Sequence, residues 1–430
     1  MPRVLFLLPT ASYRAEAFLE AAQRLQLDVT VASESPAGIH DRASTGFLPI
    51  TFRDTNQAVR SAAHFAATHP IDAVIGVEDQ TTVVAAAISA ALGLPHNPVA
   101  SAEAARNKHR MRELLRGQGV PVPCHHVFSI SDDAAAGART VSFPCVLKPL
   151  VLSASCGVIR ANDAKEFAAA FARVAALLTR LGLTETDAAA RQILSEDFVP
   201  GREVALEGLL TAGALRVLAL FDKPDPLDGP FFEETIYVTP SRLPAAIQQD
   251  IAACAAKAAQ ALGLREGPVH GELRVNEDGV WLIEMAARSI GGRCSRTLRF
   301  AADLSLEEVI LRHALRMEIP SLDLTGGAAG VMMLPIPYAG ILSEVRGQDE
   351  ARAVPGIEEL TITAQPGDEL VPLPEGTRYL GFLIARAETP ATVEAALREA
   401  HRRLAVVIRA TPTRGPRAPA CPSGSRVVTF

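Results

Sequence analysis

The six cysteines of this chain, at positions 124, 145, 156, 254, 294 and 421, include no CxxC pair. Reduced, mostly structural thiols in a cytoplasmic protein are therefore expected. No run of about 18 apolar residues occurs, so no transmembrane helix is expected. The N-terminus "MPRVLFLLPTASYRAEAFLEAA" lacks a small-residue cleavage site and passes at once from a short apolar run to an amphipathic helical pattern. That reads as a first β-strand and not as a signal peptide. No G-x-G-x-x-G follows that strand and no G-x-x-x-x-G-K-[ST] appears, which removes the main support for dinucleotide and Walker-type phosphate sites. There is no excess of positive charge either: 42 basic residues stand against 48 acidic ones, a net charge of −6. A general affinity for nucleic acid or anionic membranes is not indicated, although local basic sites remain open.

What is present is an ordinary soluble composition, 48% hydrophobic and 21% charged, over 430 residues. That length accommodates two or three domains with a cleft. Residues 1 to about 100 alternate strand and helix, "RVLFLLP", "EAFLEAAQRLQ", "DVTVAS", "TNQAVRSAAHFAATH", "IDAVIGV", the rhythm of a small parallel sheet with helices on both faces. Strand ends in such a sheet border ligands. Glu78 and Asp79 sit at one such end, where a helix cap is the competing reading. The helix "ARNKHRMRELLRGQG" stops at its glycines and meets the extended "VPVP". Asp163 with Glu166, and Ser305 with Glu308, mark helix starts. From about 325 a strand-rich unit begins, and the Pro-, Gly- and Arg-rich end "TPTRGPRAPACPSGSR" is expected to be mobile.

The hairpin "VHGELRVNEDGVWLIEMAAR", Val269 to Arg288, concentrates the chemistry. Glu277, Asp278 and Gly279 can close a three-residue loop that pairs Asn276 with Val280. That register sets Glu272 directly opposite Glu284, with Cβ atoms roughly 5 Å apart, and like charges so placed repel unless something positive sits between them. Alternation assigns Val269, Leu273, Val275, Trp281, Ile283 and Met285 to a core face. Val280, Leu282, Ala286, His270, Arg274 and Arg288 share the glutamates' face. It reads either as a half-exposed hairpin or as the floor of a site. Mg²⁺, which takes hard oxygen ligands from one or two carboxylates plus waters and phosphates, would remove the repulsion. Arg288 could hold a carboxylate or stabilise a transferring phosphoryl group, or simply pair with a glutamate.

Lys148 lies inside an apolar strand, where an unpaired ammonium is costly. It needs either a salt bridge or an anionic ligand. The small-residue loop Ser153-Ala154-Ser155-Cys156-Gly157 follows and could bring backbone N–H groups to a phosphate, with Cys156 present for its size. "SEDFVPGRE" offers a backbone segment for an adenine edge and, in Glu203, a carboxylate for ribose hydroxyls; two surface glutamates, Glu196 and Glu203, are the plain alternative. Arg293, Arg296 and Arg299 recur at helical spacing.

The order of "NKHRMRELLRGQGVPVP", "FPCVLKPLVLSASCGV", "SEDFVPGREVALEG" and "HGELRV...WLIEMAARSIGG" resembles the ATP-grasp superfamily of carboxylate–amine ligases, in particular its L-amino-acid ligase branch, from residue 1 to roughly 410. The resemblance implies an α/β and α+β ATP-grasp fold. Its parts would be a Rossmann-like pre-ATP-grasp domain over 1–100, a two-lobed ATP-grasp domain over 101–320 with its small lobe at about 120–195, a strand-rich C-terminal domain over 321–410, and a tail over 411–430. It also implies site residues. Lys108 and Lys148 match the lysines on ATP phosphates, and residues 153 to 158, with Ser153, Ser155, Cys156, Gly157 and Val158, match the mobile phosphate-covering loop. Glu196, Asp197, Phe198 and Val199 match the adenine hinge and Glu203 the ribose carboxylate. Glu272 and Glu284 match the ligands of Mg²⁺, which Mn²⁺ could replace, and Arg288 the phosphate-side arginine. Where many members read Glu-x-Asn, this chain has Glu284-Met285-Ala286, so the second metal would rest more on phosphate and water oxygens.

The implied activity is that of an ADP-forming ligase that activates a small-molecule carboxylate as an acyl phosphate and joins it to an amine. His270 could position substrate or take a proton, or be a satisfied structural histidine. Lys223 and Glu234, with Glu233, could line a substrate entrance or lie on a solvated loop; Glu78 and Arg293 are further substrate candidates. Competing readings are a biotin-carboxylase-like or purine-pathway ATP-grasp enzyme, with no biotin-carrier "MKM" motif in the chain, and an ATP-binding regulatory module without catalysis. Dimers are frequent among such folds, and a homodimer is compatible with this one.

Overall fold

The computed structural model describes residues 1–10, 12–35, 46–410 and 425–429. Two compact units are formed. The first comprises Met1–Val122, Val204–Leu220 and Leu243–Thr325, and the second Pro123–Glu203, Phe221–Arg242 and Gly326–Phe430.

In the first unit, Arg3–Leu7 is flanked by Asp28–Ser33 and Ala73–Gly76, both parallel to it, and Gly46–Pro49 extends the sheet beyond Asp28–Ser33. Leu5 and Leu7 pack with Ala58, Ala62, Val84 and Ile88 of two helices. Phe6 meets Phe18 of another helix edge to face at 5.8 Å. A parallel strand covered on both faces reads as an unbroken apolar run, which is why "RVLFL" was legible. Gly46–Pro49, only four residues long with glycine and proline at its ends, was not.

The helix expected through "ARNKHRMRELLRGQG" is broken at Asn107, whose extended backbone (φ −106°, ψ 107°) ends Val99–Arg106. Its side chain accepts the Arg110 N–H at 3.1 Å and caps Lys108–Gly117, a contribution of about 1 kcal/mol. The break makes Lys108 the first residue of the new helix, with Arg112 one turn further along the same face.

A second sheet contributes four neighbouring strands here, in the order Gly279–Ala286, Gly267–Asn276, Arg202–Thr211, Ala214–Asp222, with the first strand at its edge. Its core joins Leu206, Leu210, Leu273, Leu282 and Met285 to Ile251, Ala255 and Leu262 of the helix Ala245–Leu262. The hairpin corrects its sequence reading twice. Asn276 pairs with Gly279 across a two-residue turn, so Leu273 faces Leu282 and Arg274 faces Trp281. A bulge between Glu272 and Leu273 then restores Glu272 opposite Glu284. The core face accordingly includes Val280, Leu282 and Met285 with Leu273 and Val275, in place of the expected Trp281 and Ile283. Further on, Arg293, Arg296 and Arg299 do not share an α-helix: Arg293 is left-handed (φ 58°), Cys294–Thr297 is a single 3-10 turn, and Arg299 opens a two-residue strand. The glycines at 291 and 292 and the β-branched Thr297 disfavour a helix there.

In the second unit, His125–Ser129, Gln192–Asp197, Cys145–Pro149 and Ile159–Ala161 form an antiparallel sheet in that order. Leu147, Ile159 and Ile193 pack with Phe167, Phe171 and Val174 of the helix Ala164–Arg180, whose N-cap Asp163 accepts the Glu166 N–H at 2.8 Å. Ile236–Thr239, Ala328–Leu334, Gly381–Ala387 and Ile357–Ile362 also lie side by side in that order, against the helix Pro390–Arg402. A further sheet joins Glu369–Leu370, Gly340–Arg346, Ala405–Arg409 and Ser425–Thr429. Of the end expected to be mobile, residues 411–424 and 430 lie outside the described residues, while Ser425–Thr429 form an antiparallel strand against Ala405–Arg409; its Val-Val-Thr run favours that state. Among the described residues no helix is long and apolar enough to cross a membrane. Cys124, Cys145, Cys156, Cys254 and Cys294 are free thiols, and Cys421 lies outside the described residues.

Candidate active site

The sequence-derived candidates fall into two groups, one in each unit. In the second unit, Lys148 and Glu196 stand on adjacent strands, where Lys148 pairs with Leu194 and Val146 with Glu196. Lys148 Nζ lies 2.5 Å from Glu196 Oε2, and both side chains are buried. The salt-bridge reading of Lys148 is thus met, and the Glu196 carboxylate is committed to it. In the segment that follows Glu196, the Asp197 N–H donates to the Cys124 carbonyl and the Phe198 N–H to the Pro144 carbonyl. The Arg160 guanidinium stacks 4.1 Å over the Phe198 ring, and Val199 is buried.

Of the two readings of Lys223, the solvated loop is not met. Only 3% of its side chain is exposed, and its ammonium donates to Glu203 Oε1 at 2.8 Å and to Glu234 Oε1 at 3.1 Å. Tyr379 Oη–H donates to the other Glu234 oxygen at 3.2 Å. Glu203 is therefore oriented by the Lys223 ammonium. Glu233 beside it has its carboxyl pushed up by burial.

The loop after Lys148 is tightly wound, with Ala154, Ser155 and Gly157 all at positive φ. A Cβ on Gly157 would come within 2.7 Å of Pro149 Cγ, so only glycine fits. The N–H groups of Cys156, Gly157 and Val158 are engaged by the carbonyls of Ser153, Pro374 and Ser155. The expected cradle of free N–H groups is thus not formed in this conformation. Burial pushes the Cys156 thiol up to about 11, so it stays protonated, in keeping with its reading as a small packing residue.

In the first unit, Glu272 and Glu284 are direct cross-strand partners. Lys108 Nζ donates to Glu284 Oε1 at 3.2 Å. His270 Nδ1 is 3.2 Å from the Leu206 carbonyl, which can only accept, so Nδ1 carries hydrogen. Nε2 then faces Glu272 Oε1 at 3.7 Å. Two cationic or polar groups thus stand against the carboxylate pair, whose side chains keep 18% and 26% exposure. Partly open, hard-oxygen donors of this kind fit Mg²⁺ or Mn²⁺.

Arg288 does not pair with either glutamate. Its Nη2 donates to Asp79 Oδ2 at 2.8 Å, and Nη1 to the Ser289 carbonyl at 2.9 Å. Burial alone would raise the Asp79 carboxyl, but the Arg288 charge and hydrogen bond, with Lys108 and Arg14, outweigh it and hold Asp79 below the usual range. Glu78 is the N-cap of the helix Asp79–Ala91, its N–H donating to Thr81 Oγ1 at 3.2 Å, so the cap reading holds. Its carboxylate also accepts from Ser12 Oγ–H at 2.7 Å and lies 3.6 Å from Arg14. Arg293 approaches Glu16 at 3.9 Å, and Arg296 pairs with Glu20 at 3.0 Å.

Several residues here escaped the sequence reading. Arg14 donates to the Ser289 carbonyl at 2.9 Å and also to the Ser289 hydroxyl. Tyr13 Oη accepts the Gly292 N–H at 2.8 Å. Glu207, fully buried, accepts the Ile290 N–H at 2.8 Å, and burial pushes its carboxyl well above the ordinary range. The signal for Tyr13 and Arg14 was available: they follow the first parallel strand at its carboxyl end, the position that singled out Glu78. For Glu207, inside the apolar run "VALEGLL", a charged residue in a central strand was the signal.

Three family descriptions match separate stretches of the chain: an ATP-grasp N-terminal domain over residues 19–96, an ATP-grasp domain over 141–297, and an L-amino acid ligase C-terminal domain 2 over 332–409. A crystal structure of L-amino acid ligase from Bacillus licheniformis is 26% identical, with a TM-score of 0.82 over 95% of this chain and 99% of that one. An uncharacterized protein of Sinorhizobium fredii is 23% identical over 93% of this chain and 82% of its own length. Alanine–anticapsin ligase of Bacillus subtilis is 27% identical over 51% of this chain. The alignment spans about half of that ligase, 49% of its length.

Proposed function

The chain belongs to the ATP-grasp superfamily, in its L-amino-acid ligase branch, and from that premise we propose that it joins an amino-acid carboxylate to an amine, forming an amide or dipeptide with release of ADP and phosphate. The observation that carries the chemistry is the opposed pair Glu272 and Glu284 with Lys108 against it. The C-terminal domain directs the reading to amino acids and away from the biotin-carboxylase or purine-pathway acceptors.

In the first half-reaction a carboxylate oxygen attacks the γ-phosphorus of ATP and the bond to the ADP oxygen breaks, leaving an acyl phosphate. In the second, the amine attacks the acyl carbon, the carbon–oxygen bond to phosphate breaks, and the amine loses a proton. Lys108 and Lys148 neutralise phosphate oxygens, and Arg288, oriented by Asp79, stabilises the transferring group. A phosphate that reaches Lys148 must share it with Glu196. Glu203 takes the ribose hydroxyls, and the backbone of 196–199 the adenine edge. The loop 153–158 exchanges its bonds to Ser153, Pro374 and Ser155 for phosphate oxygens as it closes. Mg²⁺, held by Glu272 and Glu284 with Ala286 offering no third ligand, would supply Lewis-acid neutralisation of the phosphates when bound.

A screen of amino-acid and amine pairs for ADP release, with the mass of the product, tests the activity. The double change Glu272→Gln with Glu284→Gln should lower amine-dependent ADP release by about 1,000-fold or more; unchanged turnover would overturn the metal assignment.

A further inference from the structure

Glu284 reaches its place opposite Glu272 only through a bulge. From Asn276–Gly279 up to Leu273–Leu282 the ladder is regular, and its continuation would set Ile283 against Glu272 and turn Glu284 toward the side of Leu282 and Met285. One extra residue, Ile283, returns Glu284 to the glutamate face. A bulge leaves a backbone group without its ladder partner and so needs an external one. Gly279–Ala286 is also the edge strand of its sheet, so that partner must come from outside the sheet.

The helix Lys108–Gly117 and the segment after it supply the partners. The Pro121 carbonyl accepts the Leu282 N–H at 3.0 Å. Arg112, with no exposed surface at all and the largest of the fully buried side chains, sends Nη2 to the Ile283 carbonyl at 2.5 Å. A buried guanidinium is destabilising unless its donors are satisfied, and the Ile283 carbonyl takes one of them. One turn earlier on the same helix, Lys108 donates to the Glu284 carboxylate itself. The helix thus holds residue 283 by its backbone and residue 284 by its side chain.

We infer that Arg112 is a positioning residue for the metal-binding carboxylates: its guanidinium fixes the Ile283 bulge and thereby the orientation of Glu284 toward Glu272. This rests on the proposed metal role of that pair. It predicts that Arg112 governs metal affinity without governing nucleotide affinity, a separation that a general loss of stability would not produce.

The test uses the full chain and Mn²⁺ as probe, titrated in the presence of ADP, with ADP affinity measured separately in chelator. Arg112→Met should weaken Mn²⁺ binding by about tenfold or more, the usual consequence of removing a group that orients a metal ligand, while metal-free ADP affinity stays within about twofold. Arg112→Gln, which keeps a neutral donor for the Ile283 carbonyl, should fall between wild type and Arg112→Met, and it decides the matter alone if the methionine variant does not fold. Wild-type Mn²⁺ affinity in either variant, or equal losses of Mn²⁺ and ADP affinity, would overturn the inference. Glu272→Gln is the control that separates the two ideas. If it loses Mn²⁺ and Arg112→Met does not, the positioning role fails and the metal site stands; if it retains Mn²⁺, both fail.

Discussion

The two charged groups of this protein are built by different means. In the second unit the partners are near in sequence or on neighbouring strands: Lys148 meets Glu196 across one ladder, and Lys223 meets Glu203 and Glu234, 20 and 11 residues away. In the first unit the partners are far apart along the chain. Lys108 to Glu284 spans 176 residues, Arg288 to Asp79 spans 209, and Arg14 to Ser289 spans 275. The local group closes on itself, each lysine facing at least one carboxylate. The long-range group holds two carboxylates face to face with Lys108 donating to one of them, an arrangement with the capacity for a further cation. On the proposed reading, nucleotide binding uses the first arrangement and the metal the second.

The comparison is broken most forcefully at Lys223. Lys223→Met leaves Glu203 and Glu234 facing each other with 10% and 16% side-chain exposure. Removing the shared partner of buried charges costs roughly 3–5 kcal/mol. Chemical denaturation should show the loss, and Lys223→Arg should recover part of it. No change in midpoint would mean that the local group is not held by this ion.

Asp79→Ala tests the long-range group with a smaller expected effect. It strands Arg288, whose side chain is only 11% exposed, but Asp79 itself keeps 30% exposure, so screening brings the cost below the fully buried case, to about 2–3 kcal/mol. Because Asp79 titrates below its ordinary value in the folded protein, its contribution is present above the unfolded titration, near pH 3.9, and is lost as pH falls through the folded one. The variant should therefore lose stability at neutral pH and show a shallower acid limb than wild type.

This difference in construction also decided what could be read from the sequence. Alternation and turn chemistry located Lys148, Glu203 and the Glu272–Glu284 pair, because strand periodicity is local. The pairing of the glutamates was reached through two compensating differences: the turn has two residues where three were expected, and a bulge adds the missing one. Pattern reading cannot detect such a bulge, since its partner, Arg112, lies 171 residues earlier in the chain. Nor does any local pattern announce that Arg288 turns to Asp79 and not to the neighbouring glutamates, or that Lys223 is buried in a segment as acidic as "FDKPDPLDGPFFEET". The single helix drawn through Asn107 failed for a different reason: an asparagine inside a helical period is also a capping residue, and here capping won.

Glu207 sharpens the contrast with the least drastic change. It is the fully buried carboxyl of the long-range group, held by one N–H donor, from Ile290, and neighboured by Arg14, Arg288 and Glu307. Burial dominates over both arginines and raises its titration well above the ordinary value. A raised folded pKa means that the folded state keeps a proton the unfolded chain has already released. Stability is then complete below the unfolded titration, near pH 4.3, and declines as pH rises toward the folded one, by about 1.4 kcal/mol per pH unit inside that window. Glu207→Gln keeps a carbonyl oxygen for the Ile290 N–H and has nothing to ionise. It should remove that decline, making the variant the more stable of the two when denaturation is compared between pH 6 and pH 7. Parallel pH profiles for the two proteins would show instead that Arg14 and Arg288 keep Glu207 ionised, and that the long-range group is as closed on itself as the local one.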